Sequence, residues 1–107
     1  MEVHSELGGG FSEIVYKDAL ELEFADRSIF FKREKQYSVS YKGTVLQHCF
    51  FADFIVFDQV VLEVKAVAAF TDAHIAQTLN YLKVSKCKIA LLVNFSKGRP
   101  EYQRLIL

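Results

Sequence analysis

The sequence lacks an excess of charge of either sign. Lys plus Arg number 13 and Asp plus Glu number 13, so the formal net charge at pH 7 is +0. This balance argues against a protein that coats nucleic acid through charge alone. It leaves room for an enzyme whose local field comes from a bound metal ion and a small basic patch.

The sequence also lacks the segments that mark membrane, secreted and nucleotide-binding proteins. No apolar run is long enough to span a bilayer, and the start of the chain is polar. The glycines at 8–10 have neither the spacing of a Walker loop nor a preceding strand. Cys49 and Cys87 have no metal-ligand spacing, so we expect buried, reduced thiols. These absences predict a cytoplasmic protein without a membrane segment.

What the sequence does contain is a globular composition with clear periodic segments. At 107 residues and 51% hydrophobic, it is expected to form a single domain over 1–107. The pattern predicts an α/β fold, a small mixed β-sheet flanked by helices. The predicted helices are 11–25 and 71–84, the extended segments are 29–41, 44–57, 60–67, 88–95 and 102–107, and the main turns are 42–43, 58–59 and 98–100.

Two predicted strands, 50–57 and 60–67, read as almost continuously apolar, which is typical of strands covered on both faces. Charges interrupt them at Asp53, Glu63 and Lys65. An unpaired charge in such a place costs several kcal/mol, roughly, so such charges are usually paired or metal-bound. Two carboxylates and a lysine converging inside a sheet predict a site for divalent cations and phosphoryl transfer.

The connection between these two strands decides whether the three charges meet. Glu63 and Lys65 are two residues apart and share one face of a strand. A two-residue loop at 58–59 would put Asp53 and Glu63 on opposite faces, whereas a three-residue loop or a bulge would bring all three side chains together. The hypothesis of a metal site therefore predicts that this connection is not a two-residue hairpin. The alternative is a solvent-facing Glu–Lys pair on a half-exposed strand.

The first predicted helix carries a further carboxylate. Glu13 shares one stripe with Tyr16 and Leu20, and that stripe should face the core. Glu13 is then a carboxylate aimed inward. The alternative is that Glu13 lies at the margin of the stripe or helps to start the helix after the glycines.

The second predicted helix presents a polar arc beside its apolar face. Gln77 is a candidate to bind a phosphate or a metal-coordinated water, and Tyr81 a candidate to orient it. His74 is expected to lie at the surface or to contact the metal ligands, rather than to bind the metal itself. The alternative is an ordinary solvated helix face. The arc consists of His74, Gln77, Thr78 and Tyr81.

These motifs resemble those of a known family. The spacing Gly10-x-x-Glu13-x-x-Tyr16 looks like the signature of the GxxExxY proteins, small members of the PD-(D/E)xK nuclease superfamily that are similar to its RecB-like branch. The usual Gly-Pro of the family is Gly9-Gly10 here, and the chain begins within the region of its longer first helix. The other matching segments are Ala52-Asp53, Leu62-Glu63-Val64-Lys65-Ala66, His74-x-Ala76-Gln77-x-x-x-Tyr81-Leu82 and Leu92-x-Asn94-Phe95.

The resemblance implies a restriction-endonuclease-like core and assigns roles to the matching residues. Asp53 and Glu63 would be metal ligands, and Lys65 would position or activate the attacking water. Glu13 would complete or orient the acidic cluster. The auxiliary positions on the second helix would be Gln77, Tyr81 and His74.

The leading hypothesis is a metal-dependent phosphodiesterase acting on DNA. Mg²⁺ or Mn²⁺ prefers oxygen ligands, which Asp53, Glu63 and the Val64 carbonyl can supply. The second hypothesis is a catalytically silent module of the same fold that binds nucleic acid or protein as a subunit of a larger system. Because 107 residues leave little room for a DNA-recognition element, a homodimer or a protein partner could supply the groove.

Overall fold

The computed structural model describes residues 2–96 and 99–107 and shows an α/β fold in which a mixed sheet is flanked by helices. The elements are α1 (Glu2–Leu7), α2 (Glu13–Asp26), β1 (Phe31–Tyr37), β2 (Ser40–Tyr41), β3 (Thr44–Val45), β4 (Phe50–Val56), β5 (Val60–Lys65), α3 (Asp72–Ser85), β6 (Ile89–Asn94) and β7 (Glu101–Leu105).

Five strands form the main sheet in the order β1-β4-β5-β6-β7. β5 and β6 are parallel, and α3 makes the crossover that a parallel pair needs. The other neighbours in this sheet are antiparallel, and β2 and β3 form a separate two-stranded hairpin. This topology confirms the predicted fold class.

Alternation along the strands gives the sheet two apolar faces, one covered by α1 and α2 and the other by α3. The core on the α2 face consists of Val3, Tyr16, Leu20, Phe54, Leu62, Val64, Val93 and Phe95. The core on the α3 face consists of Ala52, Ile55, Val61, Leu82, Ala90 and Leu105. β5 contributes to both cores, which explains why its sequence is apolar at nearly every position.

The two predicted helices are confirmed, with ends that differ by one or two residues. α3 begins at a capping box in which the Thr71 hydroxyl accepts from the His74 N–H. The ring of His74 accepts from the Thr71 N–H in return. α1 was not predicted, because its 6 residues are too few for a periodic pattern to emerge. Within the described residues, no helix is both long enough and apolar enough to cross a membrane.

The strand predictions are confirmed in part. The expected continuous segment 44–57 is wrong, since it divides into β3 and β4 with irregular chain between them. The short last strand is confirmed as β7, whereas the predicted turn at 98–100 falls partly outside the described residues. The expectation of buried thiols is also wrong, because Cys49 and Cys87 are free but only half-buried.

Candidate active site

The connection between β4 and β5 contains three residues. Val56 pairs with Val60, which leaves residues 57–59 in the turn. The first two of these residues have positive φ angles of 54° and 56°. Continued along the strands, this register sets Asp53 opposite Glu63. The prediction that the connection is not a two-residue hairpin is therefore confirmed.

The paired register between β4 and β5 ends at Phe54 and Leu62, and side chains replace backbone partners beyond that point. The Asp53 N–H donates to Glu63 Oε1 at 3.1 Å, and the Val64 N–H donates to Asp53 Oδ2 at 2.7 Å. The two carboxylates therefore lie next to each other in a gap between the strands. We refer to this position as the carboxylate gap.

Glu63 is the more deeply buried of the two acids. It is 3% exposed, and no side chain in the described part of the chain forms an ion pair with it. Burial, together with the negative charge of Asp53, raises the pKa of Glu63 to about 9, although the nearby charge of Lys65 opposes the rise. A bound cation would relieve this unfavourable potential.

Lys65 and the Val64 carbonyl complete the immediate surroundings of the gap. Lys65 alternates onto the same face as Glu63, is half-buried, and makes no ion pair within residues 2–96 and 99–107. The Val64 N–H faces the gap. Because the N–H and C=O of one strand residue point to the same edge, the Val64 carbonyl faces the gap as well.

A residue that the sequence analysis did not single out contacts Asp53. Lys17 Nζ lies 3.0 Å from Asp53 Oδ1 and 2.5 Å from Glu34 Oε1. Burial alone would lower the pKa of Lys17, but the hydrogen bonds to Glu34 and Asp53 outweigh it and raise the pKa. The available signal was spacing, since Lys17 follows Glu13 by four residues and so lies on the same side of α2.

The signature residues at the start of α2 have separate roles. Tyr16 is fully buried, and its hydroxyl donates to the Gly8 carbonyl at 2.6 Å and accepts from the Phe11 N–H at 3.3 Å. It also stacks on Phe95 with ring centroids 4.5 Å apart. Tyr16 therefore fixes the loop before the helix. Glu13 begins the helix half-buried and makes no hydrogen bond or ion pair among the described residues.

Tyr81 on α3 packs against the start of β4. Its ring stacks on Phe50 with centroids 4.2 Å apart. Burial and the negative charges of Glu63 and Asp53 raise the pKa of Tyr81. Of the predicted set, the structure thus brings Asp53 to Glu63 and sets Lys65 on the same face of β5, while Tyr81 lies where the charges of both carboxylates act on it.

The other two predicted residues of α3 make no described hydrogen bond or ion pair with Asp53, Glu63 or Lys65. Gln77 is exposed and makes no hydrogen bond within the described residues. His74 uses its ring in the capping box with Thr71, at 3.1 Å. His74 thereby takes part in the capping box at the start of the helix.

The oxygen atoms at the gap suit a hard divalent cation. No three His, Cys, Asp or Glu side chains gather as a metal site in the part of the chain that the structure describes, so Glu13 does not join Asp53 and Glu63 in such a group. The donors are two carboxylates and the Val64 carbonyl. Mg²⁺ and Mn²⁺ commonly take a few protein oxygens and complete their shell with water or substrate phosphate, so this set fits them.

An open cavity lies at one end of the sheet, but Asp53, Glu63 and Lys65 are not among its lining residues. It has a volume of about 500 Å³ and lies between the start of α2 and the carboxyl ends of β5 and β6. Ligands of α/β sheets usually bind at the carboxyl ends of parallel strands. The lining includes Gly10, Phe11, Ala66, Val67 and Phe95.

Comparisons with known proteins agree with this architecture. The crystal structure of SSO0001 matches with a TM-score of 0.69 and 18% sequence identity, covering 86% of this chain and 49% of that chain. This chain thus spans about half the length of SSO0001, and the likeness concerns the fold. No curated protein matches the sequence. The model of the PD-(D/E)XK nuclease superfamily matches residues 1–105, and the chain therefore belongs to that superfamily.

Proposed function

We propose that the protein is a divalent-metal-dependent nuclease that hydrolyses phosphodiester bonds of DNA. We also propose that residues 1–107 form one domain of the GxxExxY type within the RecB-like branch. The observation that carries the proposal is the contact between Asp53 and Glu63 in the carboxylate gap, with Lys65 beside them. Membership of a nuclease superfamily supports the same chemistry.

Asp53, Glu63 and the Val64 carbonyl would hold Mg²⁺ or Mn²⁺. When bound, such an ion supplies positive charge to the scissile phosphate and lowers the pKa of a coordinated water. Glu63 can serve as a ligand only when it is deprotonated. Because burial raises its pKa, metal binding should release a proton from this residue.

The remaining side chains would bind and orient the substrate and water. The Lys65 ammonium has no carboxylate partner among the described residues, so it is free to donate to a phosphate oxygen or to the attacking water. Tyr81, whose pKa the charges of Glu63 and Asp53 help to raise, is proposed to orient a group at the site. Glu13 and Gln77 are proposed to act at the edges of the site.

A nicking assay on supercoiled DNA tests this function. The full chain should cleave in Mg²⁺ or Mn²⁺, and Glu63→Gln should lower the rate at least about a thousandfold, as loss of a catalytic group commonly does. Glu23→Gln removes a similar carboxylate from the last turn of α2 and should leave the rate unchanged. A Glu63→Gln variant that cleaves at the wild-type rate would exclude Glu63 from the site.

One observation favours the second candidate, a catalytically silent binding module. The described residues offer no third acidic ligand, and a lysine already contacts Asp53. This candidate predicts that the protein binds DNA or a protein without cleaving DNA in either metal. Salt-dependent DNA affinity without nicking would support it, since such dependence reports phosphate contacts. In both cases a second copy or a partner could complete the groove.

A further inference from the structure

Lys17 lies between two acids on two different strands. Its side chain is 12% exposed, and its ammonium contacts Asp53 on β4 and Glu34 on β1. The Asp53 side chain is 14% exposed, so this pair is largely shielded from water. Contacts of this kind persist better than surface ion pairs, which are weakened by salt.

Glu34 reaches Lys17 from an irregular point in β1. The register pairs Arg33 with Phe54 and Lys35 with Ala52, so Glu34 falls opposite Asp53. Glu34 has a φ of 53°, which is rare for a residue other than glycine and unusual inside a strand. The regular pairing of Asp53 is thus interrupted on both sides, towards β1 and towards β5.

We infer that Lys17 is a positioning residue that competes with the divalent cation for Asp53, and that Glu34 is the partner to which Lys17 withdraws when the cation binds. This inference rests on the proposed function, because it concerns the metal affinity of the same site.

The two oxygens of Asp53 have different partners. Oδ2 accepts from the Val64 N–H, whereas Oδ1 accepts from Lys17. A positive charge 3.0 Å from Oδ1 opposes a second cation at this carboxylate. Because Lys17 also bonds Glu34, it can leave Asp53 without losing its last anionic partner. One cation can thus replace another at Asp53 without leaving a buried charge unpaired.

Calorimetric titration of Mn²⁺ alone into the full chain tests this competition. Lys17→Met should bind Mn²⁺ about tenfold or more tightly than the wild type, because a repelling unit charge is removed from a poorly solvated site. Lys32→Met is the matched control, since Lys32 pairs with the exposed Asp58 at 3.3 Å beside the β4–β5 turn. It should change the affinity by less than about twofold.

Glu34→Gln separates competition from a structural role of the lysine. In the presence of Lys17 this change should weaken Mn²⁺ binding several-fold, because Lys17 loses the partner to which it withdraws. In the Lys17→Met background the same change should have a clearly smaller effect. A double-mutant cycle measures this difference directly.

Equal Mn²⁺ affinity of the wild type and a folded Lys17→Met, with binding lost in Glu63→Gln, would overturn the competition and leave the proposed function intact. Absence of Mn²⁺ binding in the wild type and in folded Lys17→Met would overturn both. If Lys17→Met does not fold, as judged by circular dichroism, the Mn²⁺ affinity of Glu34→Gln alone tests the inference. Unchanged affinity in Glu34→Gln would then overturn the inference.

Discussion

The two halves of the β4–β5 pair are built in different ways. Near the turn, residues 54–56 pair with residues 60–62 in a regular register, and most of their side chains pack in the two cores. Towards the other end, the Asp53 and Glu63 carboxylates take the hydrogen bonds that backbone groups would otherwise make. We call these the closed half and the open half.

The hydrogen bonds of the open half depend on which side chains are present, whereas those of a backbone ladder do not. A side chain also replaces a backbone partner at the end of β6. There the Asn94 side chain accepts a hydrogen bond from the Val67 N–H at 2.9 Å and donates one to the Val67 carbonyl at 2.8 Å. Polar side chains thus maintain the chain where the strands separate. The comparison teaches that polar residues of the open half can serve folding and function together, while the closed half serves folding.

The largest loss of stability is expected in the closed half. Phe54 is fully buried and packs edge-to-face on Phe24 with centroids 5.3 Å apart. Phe54→Ala should lower the free energy of unfolding by about 4 kcal/mol, because a cavity remains in the core. Phe51→Ala, on the same strand but 48% exposed, should cost less than about 1 kcal/mol. Urea denaturation measures both, and equal losses would contradict the assigned core.

The open half should show the opposite response when its charge is removed. The pKa of Glu63 is about 9 in the folded protein and 4.5 ordinarily, so the folded state keeps a proton that the unfolded state loses. The contribution of Glu63 to wild-type stability therefore falls as pH rises from about 4.5 towards 9. Glu63→Gln should match the wild type near pH 4 and exceed it by about 5 kcal/mol at pH 8, without metal.

Urea denaturation at both pH values, with a chelator present, tests this response. The informative quantity is the difference between Glu63→Gln and the wild type, because it isolates one group from all others that titrate. A difference in the free energy of unfolding that stays constant between the two pH values would show that the pKa of Glu63 is not raised in the folded protein.

A smaller loss is expected at the border of the open half. Asn94 is fully buried, and Asn94→Ala should cost about 2 kcal/mol because the buried polar groups of Val67 lose their partner. Asn80→Ala on the exposed face of α3 should be neutral or slightly stabilising, since alanine favours helices. Thermal denaturation of both variants checks the prediction. Equal melting temperatures would show that the hydrogen bonds between Asn94 and Val67 do not stabilise the fold.

The sequence allowed much of the fold to be predicted because its long segments are strongly periodic. α2, α3 and the strands β5 and β6 were all expected, and so was a connection longer than two residues before β5. The hypothesis of a shared site provided that last prediction, because only a shifted register brings Asp53 to Glu63.

The parts that could not be predicted depend on contacts between distant residues. The sequence marks Lys17 only by its spacing of four residues from Glu13, and Glu34 lies in a run of charged residues that is typical of a solvated strand. Their ion pairs exist because α2 crosses β1 and β4 at the point where the pairing is interrupted. Tyr16 was expected to face the core, but its bond to the Gly8 carbonyl requires the shape of the loop.

The most direct test of the central claim is a crystal of the full chain grown with Mn²⁺ and measured at the manganese absorption edge. Our account predicts an anomalous peak in the carboxylate gap, within bonding distance of Asp53, Glu63 and the Val64 carbonyl. The same crystal should show Lys17 released from Asp53 and still paired with Glu34. A gap without manganese, in crystals that also contain a DNA fragment, would contradict the assignment of this gap as a metal-dependent nuclease site.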